Sequence, residues 1–262
     1  MNWLTLNPKL NDWAHKKVWI IGASSGIGAE LARQLLAKGA HVAVSARRQE
    51  PLHALACVYP DTCTVLPMDA TRPEHWQACF QQLKDTIHAI DLVVFCAADY
   101  KAVRPWELKA DDVKKIIEIN LNAVYYGLEI LVPYFIERGV GGIALVSSVA
   151  SYMGLPKATV YGPSKAALSN LAEILYAELR DRGIGVYLIN PGFVKTRLTA
   201  SNDFHMPALL TTEQAAHQIV QGFERGKFEI HFPKRFSLGL KLVRLLPQRA
   251  RLAMLRSLAR SA

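Results

Sequence analysis

The chain has 262 residues, 51% hydrophobic and 20% charged, which suits one α/β domain burying roughly three-quarters of its unfolded surface and leaves no room for a second full domain. Its net charge of +9 would point to a polyanionic partner if it were spread over the fold, but eight Lys and Arg, and no Asp or Glu, lie from Ile230 onward. The body is therefore nearly neutral and needs no nucleic acid to explain it.

A short extension, 1–17, precedes the first apolar, β-branched run at 18–21. Similar runs recur at 42–44, 65–66, 92–96, 143–146, 186–189 and 228–232, with helix-length segments between most of them. That rhythm is the one of parallel βαβ units, and the unbroken hydrophobicity of the runs predicts strands covered on both faces. The predicted architecture is a single Rossmann-like, doubly wound parallel sheet of about seven strands over 18–235, with helices on both faces and ligands bound at the carboxyl ends of the strands. A tail, 236–262, follows.

The first run is followed by Gly22-Ala23-Ser24-Ser25-Gly26-Ile27-Gly28 and then by ten residues of helical pattern that stop at Gly39. Strand, glycine loop and helix in that order are what a dinucleotide site requires: a tight turn, close backbone approach, and unpaired helix N–H groups facing a pyrophosphate. The G-x-x-x-G-x-G spacing resembles the short-chain dehydrogenase/reductase family. The Thr usual before the first Gly is Ile21 here, so the hydrogen bond that Thr would make to the loop must be missing or replaced.

The second run ends in Val44-Ser45-Ala46-Arg47-Arg48, where an NAD-specific site would carry an acidic side chain for the ribose 2′-hydroxyl. Arg47 can instead pair with a 2′-phosphate through its planar fork, and Ser24 or Ser25 can add a hydroxyl, so NADP(H) is the expected cofactor. Two arginines on a solvated loop is the competing reading. Asp69, in Pro67-Met68-Asp69-Ala70, matches the family's acidic residue for the adenine amino group, although alone it reads as a turn residue. After the fourth run the family's Asn-Asn-Ala-Gly is Phe95-Cys96-Ala97-Ala98. The strand-stitching Asn amides are absent and Ala98 narrows the cofactor side, while contact through the backbone near Ala97 should survive.

In Tyr161-Gly162-Pro163-Ser164-Lys165, helical spacing puts a phenol and an ammonium on one face. A neighbouring cation favours phenolate and is expected to lower the Tyr161 pKa, fitting it for proton exchange with an alcohol or carbonyl oxygen. The resemblance supplies the rest of the constellation. Ser148 stands where the family has its carbonyl-orienting Ser. Asn120 stands where the family has an Asn that holds a water able to reload Tyr161. Lys165 also binds the nicotinamide ribose, and Pro191-Gly192-Phe193-Val194-Lys195-Thr196 holds the carboxamide through Val194 backbone and the Thr196 hydroxyl. The implied activity is NADPH-dependent reduction of a carbonyl, or the reverse oxidation of a secondary alcohol. Tyr152, Met153, Leu155, Phe193, Phe204, Met206 and Leu209 suit an apolar substrate if they line the site rather than close a core. His205 is a further candidate for a polar substrate contact.

A cofactor-binding regulator without catalysis is the rival reading, opposed by the intact Ser148, Tyr161 and Lys165. Four cysteines without C-x-x-C spacing, and no signal-like N-terminus, lead us to expect a cytoplasmic protein with reduced thiols. The histidines show no metal-ligand spacing, so no metal is expected. The resemblance implies a homo-oligomer. In the tail, 236–246 reads as an amphipathic helix with Ser237, Lys241 and Arg244 on its polar side. Beyond Pro247, a second helical stretch sets Arg249, Arg256 and Arg260 opposite Met254, Leu255 and Leu258. Such helices can lie on an anionic membrane as an adaptor would, or pack their apolar face on the domain or a partner subunit.

Overall fold

The structure is a computed structural model and describes residues 5–200 and 206–261. Seven strands form one wholly parallel sheet: β1 (Lys17–Ile21), β2 (His41–Ser45), β3 (Cys63–Val65), β4 (Leu92–Phe95), β5 (Gly141–Val146), β6 (Ile184–Pro191) and β7 (Glu229–Phe232), in the order β3-β2-β1-β4-β5-β6-β7. The order reverses between β1 and β4, and in such sheets that switch point opens a crevice beyond the strand ends.

Alternate side chains of the central strands feed two cores, which is why the runs contain no polar alternation. On one face Val18, Ile20, Val42 and Val44 pack with Leu31, Leu35 and Leu36 of α1 (Gly26–Ala37) and with Ile219 and Phe223 of α7 (Thr212–Glu224). On the other, Trp19, Val93, Phe95, Ile143 and Leu145 meet Trp76 and Leu83 of α3 (Pro73–Ile87), Leu131 and Phe135 of α5 (Ala123–Arg138) and Leu168 and Leu171 of α6 (Tyr161–Leu179). The shorter α2 (Glu50–Val58) and α4 (Ala110–Ile117) complete the layers.

The N-terminal extension is tied to the domain. The buried Asn7 side chain accepts from Val186 N (3.0 Å) and donates to Val186 O (2.5 Å), bonding β6 just before β7 takes over that edge at Leu188. Trp13 packs against Phe223. After β7 the chain continues as α8 (Lys234–Arg244) and α9 (Gln248–Ser261), in agreement with the two helices expected around Pro247.

Candidate active site at the carboxyl ends of the strands

A cavity of about 510 Å³ lies over the switch point. Of the residues expected to hold a cofactor or do chemistry, Gly22, Ser24, Ser25, Gly26, Ile27, Arg47, Asp69, Ala97, Ser148, Tyr161, Lys165, Val194 and Thr196 all line it. Gly28 lies directly behind the lining, and Asn120 is buried behind the wall.

Two glycines set the floor. Gly22 has φ +94, and a Cβ built on it would lie 2.5 Å from Ala97 N; one on Gly28 would lie 2.4 Å from Gly22 O. Loop, strand β4 and helix α1 therefore meet backbone to backbone, which only hydrogen side chains allow. Main-chain bonds that extend the β1–β2 ladder hold the start of the loop: Gly22 N and Ala23 N both donate to Ser45 O, at 2.7 and 3.1 Å. Cys96, at the position of the absent Asn, packs beside Gly28, and burial pushes its thiol up to about 11. The N-cap of α1 is Ser25, whose hydroxyl makes no capping bond, so the first N–H groups of a twelve-residue helix are left for a ligand beside the cavity.

At the adenosine end Arg48, rather than Arg47, secures the loop, donating to Ser24 O and Oγ at 3.2 Å each. The sequence points to Arg47 alone for the 2′-phosphate and gives Arg48 no role; the spacing of Arg48 from Ser24 carries no signal for this bond. Asp69 is a turn residue on the cavity lining. Its Oδ1 accepts from Thr71 N and Oγ1, as a turn residue's would, and it lines the cavity. Burial raises its pKa, but the Thr71 bonds and the nearby Arg47 and His75 outweigh that and hold it below its ordinary value.

At the other end Tyr161 opens α6 on the cavity wall it shares with Ser148, whose hydroxyl donates to Pro191 O at 3.5 Å. Ser148 is held in turn, Oγ accepting from Ala150 N at 3.1 Å. Lys165 is almost fully buried, its Nζ donating to Val146 O (2.8 Å) and lying 5.6 Å from the Tyr161 ring centroid. The expected lowering of the Tyr161 pKa is not found. Burial pushes the phenol up to about 12 against the opposing influence of the nearby Ser148 hydroxyl, and burial pulls Lys165 down to about 8. Desolvation disfavours whichever form is charged, and for the buried phenol it is the dominant effect.

Asn120 lies in a π-helical turn, Glu118–Asn122, an irregularity that turns its amide inward. Oδ1 accepts from Asp99 N (2.7 Å), and Nδ2 donates to Asp99 O (3.0 Å) and Ser164 Oγ (3.0 Å). The amide thus clamps the loop after β4 to the first turn of α6.

The apolar substrate lining is largely redirected. Tyr152 gives its hydroxyl to Glu229 Oε1 (2.5 Å), Phe193 packs on Phe236 at 5.8 Å, and Leu209 is exposed. Phe204 and His205 lie outside the described residues. A second cavity of about 450 Å³ is lined by Tyr100, Ile119 and Leu198 together with the charged Asp99, Lys115, Glu118 and Arg197. Among the described residues no cluster of His, Cys, Asp and Glu could hold a metal ion, and no helix is long and apolar enough to cross a membrane.

A doubly wound sheet with a glycine loop at its switch point, facing a Ser-Tyr-Lys group, defines a class of α/β oxidoreductases. The chain matches the short chain dehydrogenase family over residues 16–206 and belongs to it. It is 33% identical over 239 residues to an uncharacterized oxidoreductase of Myxococcus xanthus, covering 90% of this chain and 94% of that protein. Two solved structures share the fold. A short-chain dehydrogenase from Streptomyces avermitilis has a TM-score of 0.80 at 24% identity, over 94% of this chain and 98% of that one. A short-chain dehydrogenase from Sphingobium yanoikuyae in complex with NADPH has a TM-score of 0.77 at 24% identity, over 89% and 97%.

Proposed function

We propose that this oxidoreductase is an NADPH-dependent reductase of a ketone, also able to oxidise the corresponding secondary alcohol, with Tyr161 as its proton donor and acceptor. The observation that supports this reading most is the meeting of Ser148, Tyr161 and Lys165 on one wall of a cavity whose floor is a side-chain-free backbone cradle.

The residues present fit a dinucleotide. The cradle at Gly22 and Gly28 would be filled by any Cβ, and the start of α1 has no side-chain cap. Gly22, Ser24, Ser25, Gly26 and Ile27 would hold the pyrophosphate side, Asp69 and Ala97 the adenosine and central parts, and Val194, Thr196 and Lys165 the nicotinamide side. Hydride chemistry would come from that bound nicotinamide. Arg47 supports NADPH over NADH, because no carboxylate stands at the end of β2 to repel a 2′-phosphate.

With its pKa at about 12, the Tyr161 phenol carries its proton at neutral pH, as a donor to a substrate oxygen must. Ser148 Oγ, on the same cavity wall as that phenol, positions the same oxygen. Lys165, pulled to about 8, keeps enough positive charge near neutrality to steady the phenolate left behind. Asn120 keeps the first turn of α6 in place, and with it Tyr161. Ile119, Val146 and Leu198 give the lining an apolar share that suits an apolar carbonyl compound.

Exposed Tyr125 and Ile136 on α5 and Ile174 on α6 support a homo-oligomer, which sedimentation would measure. Four free thiols suit a reducing compartment such as the cytoplasm. The test of the catalytic reading is Tyr161→Phe. The ring keeps its 5.0 Å edge contact with Tyr100, so fold and NADPH binding should persist while turnover of a ketone panel falls about 10²–10⁴-fold. Turnover within a few-fold of the parent would overturn the assignment.

A further inference from the structure

The tail helix α8 packs on the domain with the side that carries Ser237 and Lys241, beside half-buried Phe236, Leu240 and Val243. The side expected to meet water holds it to the domain. Ser237 is completely buried, its Oγ 2.7 Å from His231 Nδ1 and donating to Pro233 O at 3.0 Å. One turn on, Lys241 pairs with Glu229 Oε2 and lies 5.3 Å from the Tyr152 ring centroid. Glu229 gathers the contacts, accepting on Oε1 from Tyr152 and from Asn190 Nδ2 (2.9 Å). This latch fixes α8 to the loop that carries Ser148.

With that side used inward, four of the leucines face out and only Leu240 is half-buried. Leu238, Leu242 and Leu245, a turn apart, are 49%, 66% and 81% exposed, and Leu246, Leu252 and Met254 continue the exposed apolar surface onto α9. A row of leucines this open on a helix that is already anchored marks an interaction surface. Around it stand exposed Lys234, Arg235, Arg244, Arg249, Arg256 and Arg260, with no acidic residue after Glu229.

We propose that α8 and α9 form a docking surface for an anionic lipid bilayer, with the leucines entering the acyl boundary and the basic side chains reaching lipid phosphates. The charge decides between occupants. A second copy meeting this one about a two-fold axis would bring the same six cations against themselves, with no carboxylate in either tail to separate them. A polyphosphate chain would satisfy the arginines but leave the leucines without a partner. An anionic bilayer satisfies both.

The experiment uses the full-length protein and sedimentation with vesicles of phosphatidylcholine containing about one third phosphatidylglycerol. The protein should pellet with these vesicles at low salt, stay in solution with pure phosphatidylcholine, and be released by high salt. Leu242→Glu with Leu245→Glu should weaken binding at least about tenfold while ketone turnover is retained. Arg249→Gln with Arg256→Gln, which leaves the apolar row intact, should also weaken it and flatten its salt dependence. Failure to bind anionic vesicles at low salt overturns the proposal. Unchanged binding by the leucine variant overturns it as well. So does a concentration-dependent dimer that the leucine variant dissociates while vesicles are ignored, because the face then joins two copies. Turnover is read separately, so the reductase assignment and the docking surface can fail independently.

Discussion

Replacing Gly28 with Ala tests the cradle directly. The added Cβ would lie 2.4 Å from Gly22 O, 3.1 Å from Gly22 C and 3.3 Å from Cys96 Sγ. Two of these are backbone atoms that no rotamer change can move. Restoring ordinary contact requires α1 and the loop to separate by about 1 Å, against the packing of Leu31, Leu35 and Leu36 on the sheet. Overpacking of a tight site costs about 1–3 kcal/mol, and rigid neighbours put this case at the upper end. For a chain of this size, that lowers the melting temperature by about 5–10 °C. The shift also moves the N-terminus of α1, so NADPH affinity should fall by at least about tenfold. Thermal melts and a nicotinamide-fluorescence titration read the two effects. Gly239→Ala is the control: it sits within α8 with nothing within 4 Å of its would-be Cβ, and Ala there should stabilise the protein by about 0.5–1 kcal/mol. If Gly28→Ala melts no lower than the parent and binds NADPH equally well, the backbone-contact argument is wrong.

Arg47→Ala should raise the KM for NADPH far more than that for NADH, whereas Arg48→Ala, which frees Ser24, should raise both; steady-state kinetics with the two cofactors separates them, and equal effects of Arg47→Ala on both would remove it as the phosphate reader. His231 is pushed down to about 4 by burial and by the nearby Lys241 and Lys234, so between that value and 6.5 the unfolded chain binds the extra proton. Stability should therefore fall as pH drops through this window, by about 1–2 kcal/mol once the screening of a half-exposed ring is allowed for. His231→Gln should flatten that slope in urea melts at pH 4–6.5, and an unchanged slope would assign the acid sensitivity elsewhere.

The βαβ rhythm, the glycine loop and the Tyr161–Lys165 pair were legible in the sequence because each follows from neighbours along the chain. Strand burial follows from unbroken hydrophobic runs, the cradle from glycine spacing, and the shared helical face from a separation of one turn. What the sequence left open depends on residues far apart. Arg48 as the tie to Ser24, and Asn120 as a clamp between Asp99 and Ser164, exist only once β2, β4 and α6 lie side by side. The Tyr161 pKa moved opposite to the local expectation because burial, a property of the whole fold, outweighs one adjacent cation. The tail shows the same limit most plainly. Periodicity along 236–246 divides α8 into a polar and an apolar side, but not which side faces inward. That choice was made by Glu229, Tyr152 and His231, whose polar groups offer Lys241 and Ser237 partners that leucines cannot use.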